Sequence, residues 1–127
     1  MSKIILIDDD PIYQKISQIM VKEYSHVDEI VTSGDGKDTL DYLIENRENT
    51  DKLPDYIFLD INMPEFNGWD FLNGYKKIYH SLRKAIGVYI VSSSIDPNDI
   101  KRSYDYSFVK KFILKPLNRE FLNELLA

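Results

Sequence analysis

Four short apolar segments divide this chain, and none of them alternates apolar with polar side chains. They are Ile4–Ile7, Tyr56–Leu59, Val88–Val91 and Phe112–Leu114, and a weaker segment, Ile30–Thr32, lies between the first two. Their β-branched and aromatic residues favour strands. Strands that are apolar at consecutive positions are buried on both faces, as in a parallel sheet covered by helices. The segments therefore predict five parallel strands between two layers of helices.

The stretches between the strands have the apolar spacing of helices. Asp10 and Pro11 suit a helix cap and a first helical turn, and the apolar face of the helix that follows is expected at Ile12, Ile16, Ile19 and Met20. A weaker helix is expected over residues 95–106. Three further apolar stripes indicate helices, the last of them capped by Asn118: Leu40, Leu43 and Ile44; Phe71, Leu72, Tyr75 and Ile78; Leu117, Phe121, Leu122, Leu125 and Leu126. Five strands alternating with five helices predict an α/β fold with right-handed crossovers.

Length and charge exclude several classes of protein. The 127 residues support one domain, and 16 Lys and Arg against 21 Asp and Glu leave a net charge of −5. That balance argues against a nucleic-acid binder that relies on a basic surface. The absence of cysteine excludes disulfides, thiolate metal sites and cysteine nucleophiles. Neither a membrane span nor a signal peptide is present in the sequence, so we expect a cytoplasmic domain without membrane contact.

The residues that directly follow the strands carry the chemistry. Ligands of doubly wound sheets bind outside the carboxyl ends of the strands, and the polar residues at those ends are Asp8, Asp9, Asp10, Asp60, Ser92, Ser93, Ser94 and Lys115. Carboxylates gathered at one edge repel each other unless cations lie among them. Lys115 supplies one charge, and Mg²⁺, which prefers oxygen ligands, would supply more. Since a carboxylate can be a phosphoryl-transfer nucleophile, the set predicts a Mg²⁺-dependent phosphoacceptor site.

Four motifs, each behind a predicted strand, resemble the receiver domain of response regulators in two-component signalling, the family of the bacterial chemotaxis receiver protein. They are IILIDDDP at 4–11, DYIFLDINMPEFNG at 55–68, VYIVSSS at 88–94 and FILKP at 112–116. The resemblance runs from Lys3 to about Leu126. It implies a flavodoxin-like, doubly wound sheet of five parallel strands in the order 2-1-3-4-5 with five helices, in one receiver domain over residues 1–127.

The resemblance implies a phosphoacceptor and a metal site among the acids. Asp60 matches the phosphoacceptor position. Asp8 and Asp9 match the acidic pair that serves Mg²⁺, with Asp9 as the more direct ligand, and Asp60 shares the ion. The backbone carbonyl of Asn62 is implied as a further ligand. Asp10 precedes Pro11 and is better placed as a helix cap than as a ligand.

A hydroxyl, a lysine and an aromatic residue complete the implied site. Lys115 and Ser92 match the phosphoryl-contacting positions, although Ser93 stays open as a second choice because three serines adjoin. Ser92 is also the switch hydroxyl, where Thr is more common in the family. Phe112 matches the aromatic switch position, where Tyr is common. The Lys115–Pro116 peptide bond is expected to be cis.

The function implied is a phosphorylation-dependent signalling module. A sensor histidine kinase or a phosphotransfer protein would donate the phosphoryl group, and a downstream protein target would respond to the new surface. The family also allows a homodimer, and no direct contact with nucleic acid is expected. The domain would catalyse only its own phosphorylation and dephosphorylation.

Three other hypotheses compete with this function. A receiver-shaped interaction scaffold that acts without phosphorylation stays open, because Ser92 and Phe112 depart from the common residues. A phosphatase of the haloacid dehalogenase type would need an acid two residues after Asp60, where Asn62 stands. A flavin-binding module would need a phosphate-cradling loop after the first strand, where three acids stand instead.

Overall fold

Five parallel strands form one sheet in the computed structural model, which describes residues 2–126, and their order is β2-β1-β3-β4-β5. The strands are β1 (Ser2–Ile7), β2 (Val27–Ser33), β3 (Tyr56–Leu59), β4 (Gly87–Ser92) and β5 (Val109–Leu114). The helices are α1 (Pro11–Lys22), α2 (Gly36–Glu45), α3 (Gly68–Ile78), α4 (Pro97–Ser103) and α5 (Arg119–Leu126), with a 3₁₀ turn at Tyr79–Ser81. The predicted flavodoxin-like class, strand order and helix number are confirmed.

The sheet has a hydrophobic core on each of its two faces. Ile5 and Ile7 of β1 pack with α2 and α3, whereas Ile4 and Leu6 pack with α1 and α5. Successive side chains of a strand point to opposite faces, so a strand covered on both sides must be apolar at every position. This explains the unbroken apolar segments of the sequence. Among residues 2–126, no helix combines the length and apolarity that crossing a bilayer requires.

The prediction of the buried face of α1 is wrong. Ile12, Ile16 and Ile19 are 72%, 46% and 56% exposed. The helix instead turns a stripe of Tyr13, Ser17 and Val21 toward the sheet, with Met20 packed partly against the same core. The hydroxyl of Tyr13 accepts a hydrogen bond from the backbone N–H of Leu117, which joins this face of the helix to the segment that follows β5. The three isoleucines therefore form an exposed patch, which we call the α1 patch.

The fourth helix is shorter than the expected span of residues 95–106. It begins at Pro97, where the side chain of Asp96 caps the backbone N–H of Asn98, and it ends at Ser103. The Asp96–Pro97 pair is a helix start signal, so Ile95 lies outside the helix and is exposed. Tyr106 lies beyond the other end of the helix and is buried.

Gly68 brings the start of α3 against the end of β3. A Cβ at Gly68 would lie 2.5 Å from the Cα of Ile61 and 2.7 Å from the carbonyl oxygen of Asp60. Both atoms belong to the backbone and can move only with the Asp60 loop. We expect Gly68→Ala to lower the free energy of unfolding by about 2 kcal/mol, because overpacking forces the backbone apart. Urea denaturation measures this change.

Gly74 provides the matched control inside the same helix. A Cβ there would meet the Cδ1 atom of Leu40 at 2.5 Å, which is the mobile end of a side chain. Because alanine is favoured over glycine by about 1 kcal/mol in a helix interior, Gly74→Ala should leave the stability nearly unchanged or raise it. Equal effects of the two substitutions would contradict the close approach at Gly68.

Candidate functional site

Three carboxylates meet at the carboxyl edge of the sheet. One oxygen from each of Asp8, Asp9 and Asp60 lies within 4.8 Å of the other two. Ile7 and Leu59 pair in register on adjacent strands, so the next residue of each strand enters the same space. Asp8 and Asp60 are buried and Asp9 is exposed. The acids that the sequence predicted to converge do lie together.

Lys115 lies between the two buried acids. Its Nζ atom is 2.7 Å from Oδ2 of Asp8 and 3.3 Å from Oδ2 of Asp60. The backbone N–H of Lys115 donates to the carbonyl of Ser92 at 2.8 Å, which ties the lysine to the end of β4. The Lys115–Pro116 peptide bond is cis.

Burial and neighbouring charges shift the pKa values of Asp60 and Lys115. Burial raises the pKa of Asp60, although the backbone N–H of Asn62 and the charge of Lys115 act in the opposite direction. Burial also disfavours the charged form of Lys115, but its pairing with Asp8 and the charge of Asp60 outweigh that effect and raise the pKa of the ammonium. Lys115 therefore stays protonated at neutral pH and serves as a fixed positive charge in the site.

The donor set fits a hard divalent cation. The cluster holds three carboxylates, and the Lys115 ammonium, which contacts Asp8 and Asp60, offsets one of the three negative charges at this partly buried edge. Mg²⁺ is bound by few carboxylates and keeps several waters, and the exposure of Asp9 leaves one side of the cluster open to solvent. Residues of this chain that could hold the ion are Asp8, Asp9 and Asp60.

Asn62 and Ser92 form a second polar contact at the same edge. The backbone N–H of Asn62 donates to Oδ1 of Asp60 at 3.1 Å, and its side-chain amide donates to the hydroxyl of Ser92 at 3.3 Å. That hydroxyl also accepts the backbone N–H of Ser94 at 3.1 Å. Ser92 is fully buried, whereas Ser93 is exposed, so of these two serines Ser92 is the one directed into the site.

Phe112 is half-buried beside β4. It pairs in register with Ile90 and packs against the core on the α2 and α3 side of the sheet. Its side chain lies on the strand that leads directly to Lys115.

Sequence reasoning missed Tyr13, which contacts the site from α1. The ring centroid lies 4.2 Å from Nζ of Lys115, and the hydroxyl accepts from the backbone N–H of Leu117 at 3.0 Å. A tyrosine in the first turn of a helix gives no signal of this contact in one sequence. It arises only because the crossover from β5 to α5 passes over the start of α1.

Comparison with known proteins decides the family. The model of the response regulator receiver domain family matches residues 4–127. The chain belongs to the response regulator receiver domain family. That membership favours a two-component signalling domain over the phosphatase and flavin-binding hypotheses, and it agrees with the place and composition of the acidic cluster.

Solved receiver domains share the fold over almost the whole chain. A two-component response regulator from Cytophaga hutchinsonii is 30% identical with a TM-score of 0.85, covering 97% of this chain and 92% of that one. The receiver domain of the histidine kinase CKI1 from Arabidopsis thaliana, solved with Mg²⁺, is 26% identical with a TM-score of 0.79 and coverages of 98% and 91%. A receiver domain with this fold has thus been solved with Mg²⁺.

Among curated proteins, the receiver domain resembles regulators that are longer than itself. It is 27% identical over 119 residues to the probable methanogenesis regulatory protein FilR2 of Methanothrix harundinacea, covering 94% of this chain and 75% of that protein. The chain spans about half the length of several other curated regulators that it matches.

Proposed function

We propose that this receiver domain, acting as one unit over residues 1–127, accepts a phosphoryl group on Asp60 in a Mg²⁺-dependent reaction and then changes its partner-binding surface. The donor would be a sensor histidine kinase or a phosphotransfer protein. One observation carries the proposal: the carboxylates of Asp8, Asp9 and Asp60 lie together, and Lys115, which contacts Asp8 and Asp60, offsets one of their three negative charges.

Asp60 is the residue of this cluster best suited to be the nucleophile. It lies at the end of a buried strand, and its two oxygens have different partners, the backbone N–H of Asn62 and the ammonium of Lys115. One of its oxygens would form the new bond to phosphorus as the bond from phosphorus to the donor breaks. The asymmetric contacts hold the carboxylate in one orientation for that attack.

Asp8, Asp9 and Asp60, with the backbone carbonyl of Asn62, would hold Mg²⁺. The ion would supply positive charge to the phosphoryl oxygens during transfer. Lys115 would then pair with the phosphorylated Asp60, because its ammonium already lies within 3.3 Å of that side chain.

Ser92 is suited to donate a hydrogen bond to the same group. Its hydroxyl oxygen accepts two hydrogen bonds, from Asn62 and from Ser94, so its own proton is available for a phosphoryl oxygen. Movement of Ser92 and Lys115 toward the phosphoryl group would carry β4 and β5 with them. Phe112 would then turn further inward and change the surface that a downstream protein target reads.

The experiment is phosphorylation by a small-molecule donor. Incubation with acetyl phosphate and Mg²⁺ should add the mass of one phosphoryl group, and the adduct should be lost in alkali, as an acyl phosphate is. Removal of Mg²⁺ with EDTA should prevent labelling. A wild-type chain that gains no phosphoryl group under these conditions would favour the scaffold that acts without phosphorylation.

The α1 patch is proposed as the docking surface for the protein donor. Its three isoleucines lie on the helix that starts two residues after Asp9, and none of them is used by the core. Exposed apolar side chains beside a reactive group indicate a protein contact. A donor seated on this patch would bring its phosphohistidine to the open side of the acidic cluster.

The double variant Ile12→Ser/Ile16→Ser tests this docking surface. Transfer from a phosphorylated histidine phosphotransfer protein that labels the wild type should slow by at least about tenfold, because central apolar contacts dominate binding energy. Labelling by acetyl phosphate should be unchanged. The control Val31→Ser/Ile44→Ser removes two exposed apolar residues of β2 and α2 and should leave both rates unchanged. Equal slowing in the two variants would contradict docking at α1.

The wider role follows from the same proposal. The domain would act in the cytoplasm as a signalling module that catalyses only its own phosphorylation and dephosphorylation, with no direct contact to nucleic acid. Sizing with and without a phosphoryl analogue would show whether two copies associate.

A further inference from the structure

Tyr13 makes two contacts that bracket the cis peptide bond of the site. Its ring faces the ammonium of Lys115 at 4.2 Å from the centroid. Its hydroxyl accepts the backbone N–H of Leu117 at 3.0 Å. One buried side chain of α1 thus contacts the residue before Pro116 and the residue after it.

Lys115 needs such a support. Its side chain has a flexible four-carbon stem, and two carboxylates attract its ammonium, Asp8 at 2.7 Å and Asp60 at 3.3 Å. The closer acid would draw the lysine away from the phosphoacceptor. The negative face of an aromatic ring attracts an ammonium and limits where it can lie.

We propose that Tyr13 is a positioning residue, which holds the Lys115 ammonium between Asp8 and Asp60 so that it can pair with a phosphoryl group on Asp60. This inference rests on the proposed function. The ring provides the contact to the charge, and the hydroxyl fixes the backbone at Leu117 that follows it. Leucine, phenylalanine and tyrosine could all fill the same core space, but only an aromatic ring makes the first contact and only tyrosine makes both.

A first test needs neither metal nor phosphoryl group. Protons of the Lys115 side chain that lie over the Tyr13 ring should have NMR signals shifted upfield by the ring current. The shift should persist in Tyr13→Phe and disappear in Tyr13→Leu. Signals at ordinary positions in the wild-type protein would overturn the inference, and this result does not depend on whether any variant folds.

A second test measures the affinity for BeF₃⁻ with Mg²⁺, a phosphoryl analogue that the receiver domain of CKI1 binds in a solved structure. Tyr13→Leu should weaken this binding by about tenfold, the range of a desolvated contact between a cation and a ring. Tyr13→Phe should weaken it less, because the ring remains. Binding of Mg²⁺ alone should change less than binding of the analogue in both variants, because the three carboxylates that would hold the ion stay in place.

A double-mutant cycle separates positioning from simple packing. If Tyr13 acts through Lys115, then Tyr13→Leu/Lys115→Met should bind the analogue no more weakly than Lys115→Met alone. A purely structural role predicts additive losses. Phe121→Leu is the matched control, because Phe121 is buried in the same core but packs on Phe58 and Tyr89; it should leave analogue binding unchanged.

The outcomes distinguish this inference from the function on which it rests. A wild-type chain that binds no analogue and takes no label contradicts the proposed function, and this inference with it. Wild-type binding that Tyr13→Leu leaves intact contradicts the positioning role alone. Additive losses in the double-mutant cycle contradict it as well.

Discussion

Asp60→Asn will abolish phosphoryl labelling of this chain. The amide keeps the shape and the hydrogen bond from the backbone N–H of Asn62 but has no nucleophilic oxygen of comparable charge. Labelling with acetyl phosphate and Mg²⁺, followed by mass measurement before and after alkali, should show no adduct. An alkali-labile adduct that survives in this variant would show that the acceptor lies elsewhere.

Asp10→Asn is the matched control for that experiment. Asp10 is the neighbour of two candidate metal ligands, but its side chain caps α1 by accepting from the backbone N–H groups of Ile12 and Tyr13. Asparagine is an equally good cap, so both labelling and stability should be retained. The comparison separates the acceptor carboxylate from a carboxylate that serves only the helix.

The same Asp60→Asn variant should be more stable than the wild type at neutral pH without Mg²⁺. Burial raises the pKa of Asp60 above its ordinary value of 3.8, so the folded state holds this proton more tightly than the unfolded state. Ionised Asp60 therefore costs stability above its folded pKa. The extra stability of the variant should decrease as the pH falls through the folded-state pKa of Asp60. It should vanish below 3.8, where Asp60 is protonated in both the folded and the unfolded state. Urea denaturation over this pH range measures it.

The sequence predicted that the acids and the lysine lie together, because the ends of the strands can be identified from the apolar segments. Asp8, Asp60 and Lys115 each directly follow an apolar strand, and parallel strands bring their carboxyl ends to one edge. No side-chain detail was needed for that step. The order of the strands required more than periodicity, and it came from the resemblance of four motifs to one family.

The rotation of α1 could not be predicted in the same way. Three isoleucines at helical spacing are typical of a core face, and Tyr13 and Ser17 are not, yet the structure exposes the former and buries the latter. An apolar stripe is also expected on an exposed helix face that binds a partner protein. A single sequence does not distinguish such a face from one that packs in the core. The buried face of α1 includes the bond from Leu117 to Tyr13, a contact between residues 104 positions apart that the local spacing of α1 does not show.

Lys115→Met will destabilise the fold by about 3 kcal/mol at neutral pH without Mg²⁺. The side chains of Asp8 and Asp60 are only 1% and 5% exposed, and removing the one ammonium between them leaves buried carboxylates without a counter-charge. Methionine keeps most of the side-chain volume of lysine, so the loss of stability measures the missing charge rather than a cavity. Chemical denaturation gives the free energy.

Lys84→Met is the control for this loss. Lys84 pairs with Asp55 at 3.1 Å and also donates to the backbone carbonyls of Thr50 and Leu53. The two side chains of the pair are 25% and 28% exposed, so water can replace the lost contacts. A pair of this kind contributes about 1 kcal/mol or less. A loss at Lys84 as large as that at Lys115 would show that burial of the acidic cluster is not the cause.

Mg²⁺ and low pH should both restore stability to the Lys115→Met variant, because each reduces the unbalanced negative charge of the acidic cluster. Because the pKa of Lys115 is raised above 10.5, its contribution is constant through neutral pH and is lost only above that value. The deficit in stability of the variant should therefore stay constant through neutral pH and narrow as the pH falls through the raised pKa of Asp60, where protonation removes one of the buried charges. Mg²⁺ binds the folded state and should stabilise the variant more than the wild type, since it meets one more unbalanced negative charge. A deficit that neither condition reduces would mean that Lys115 contributes through packing rather than as the counter-charge of the site.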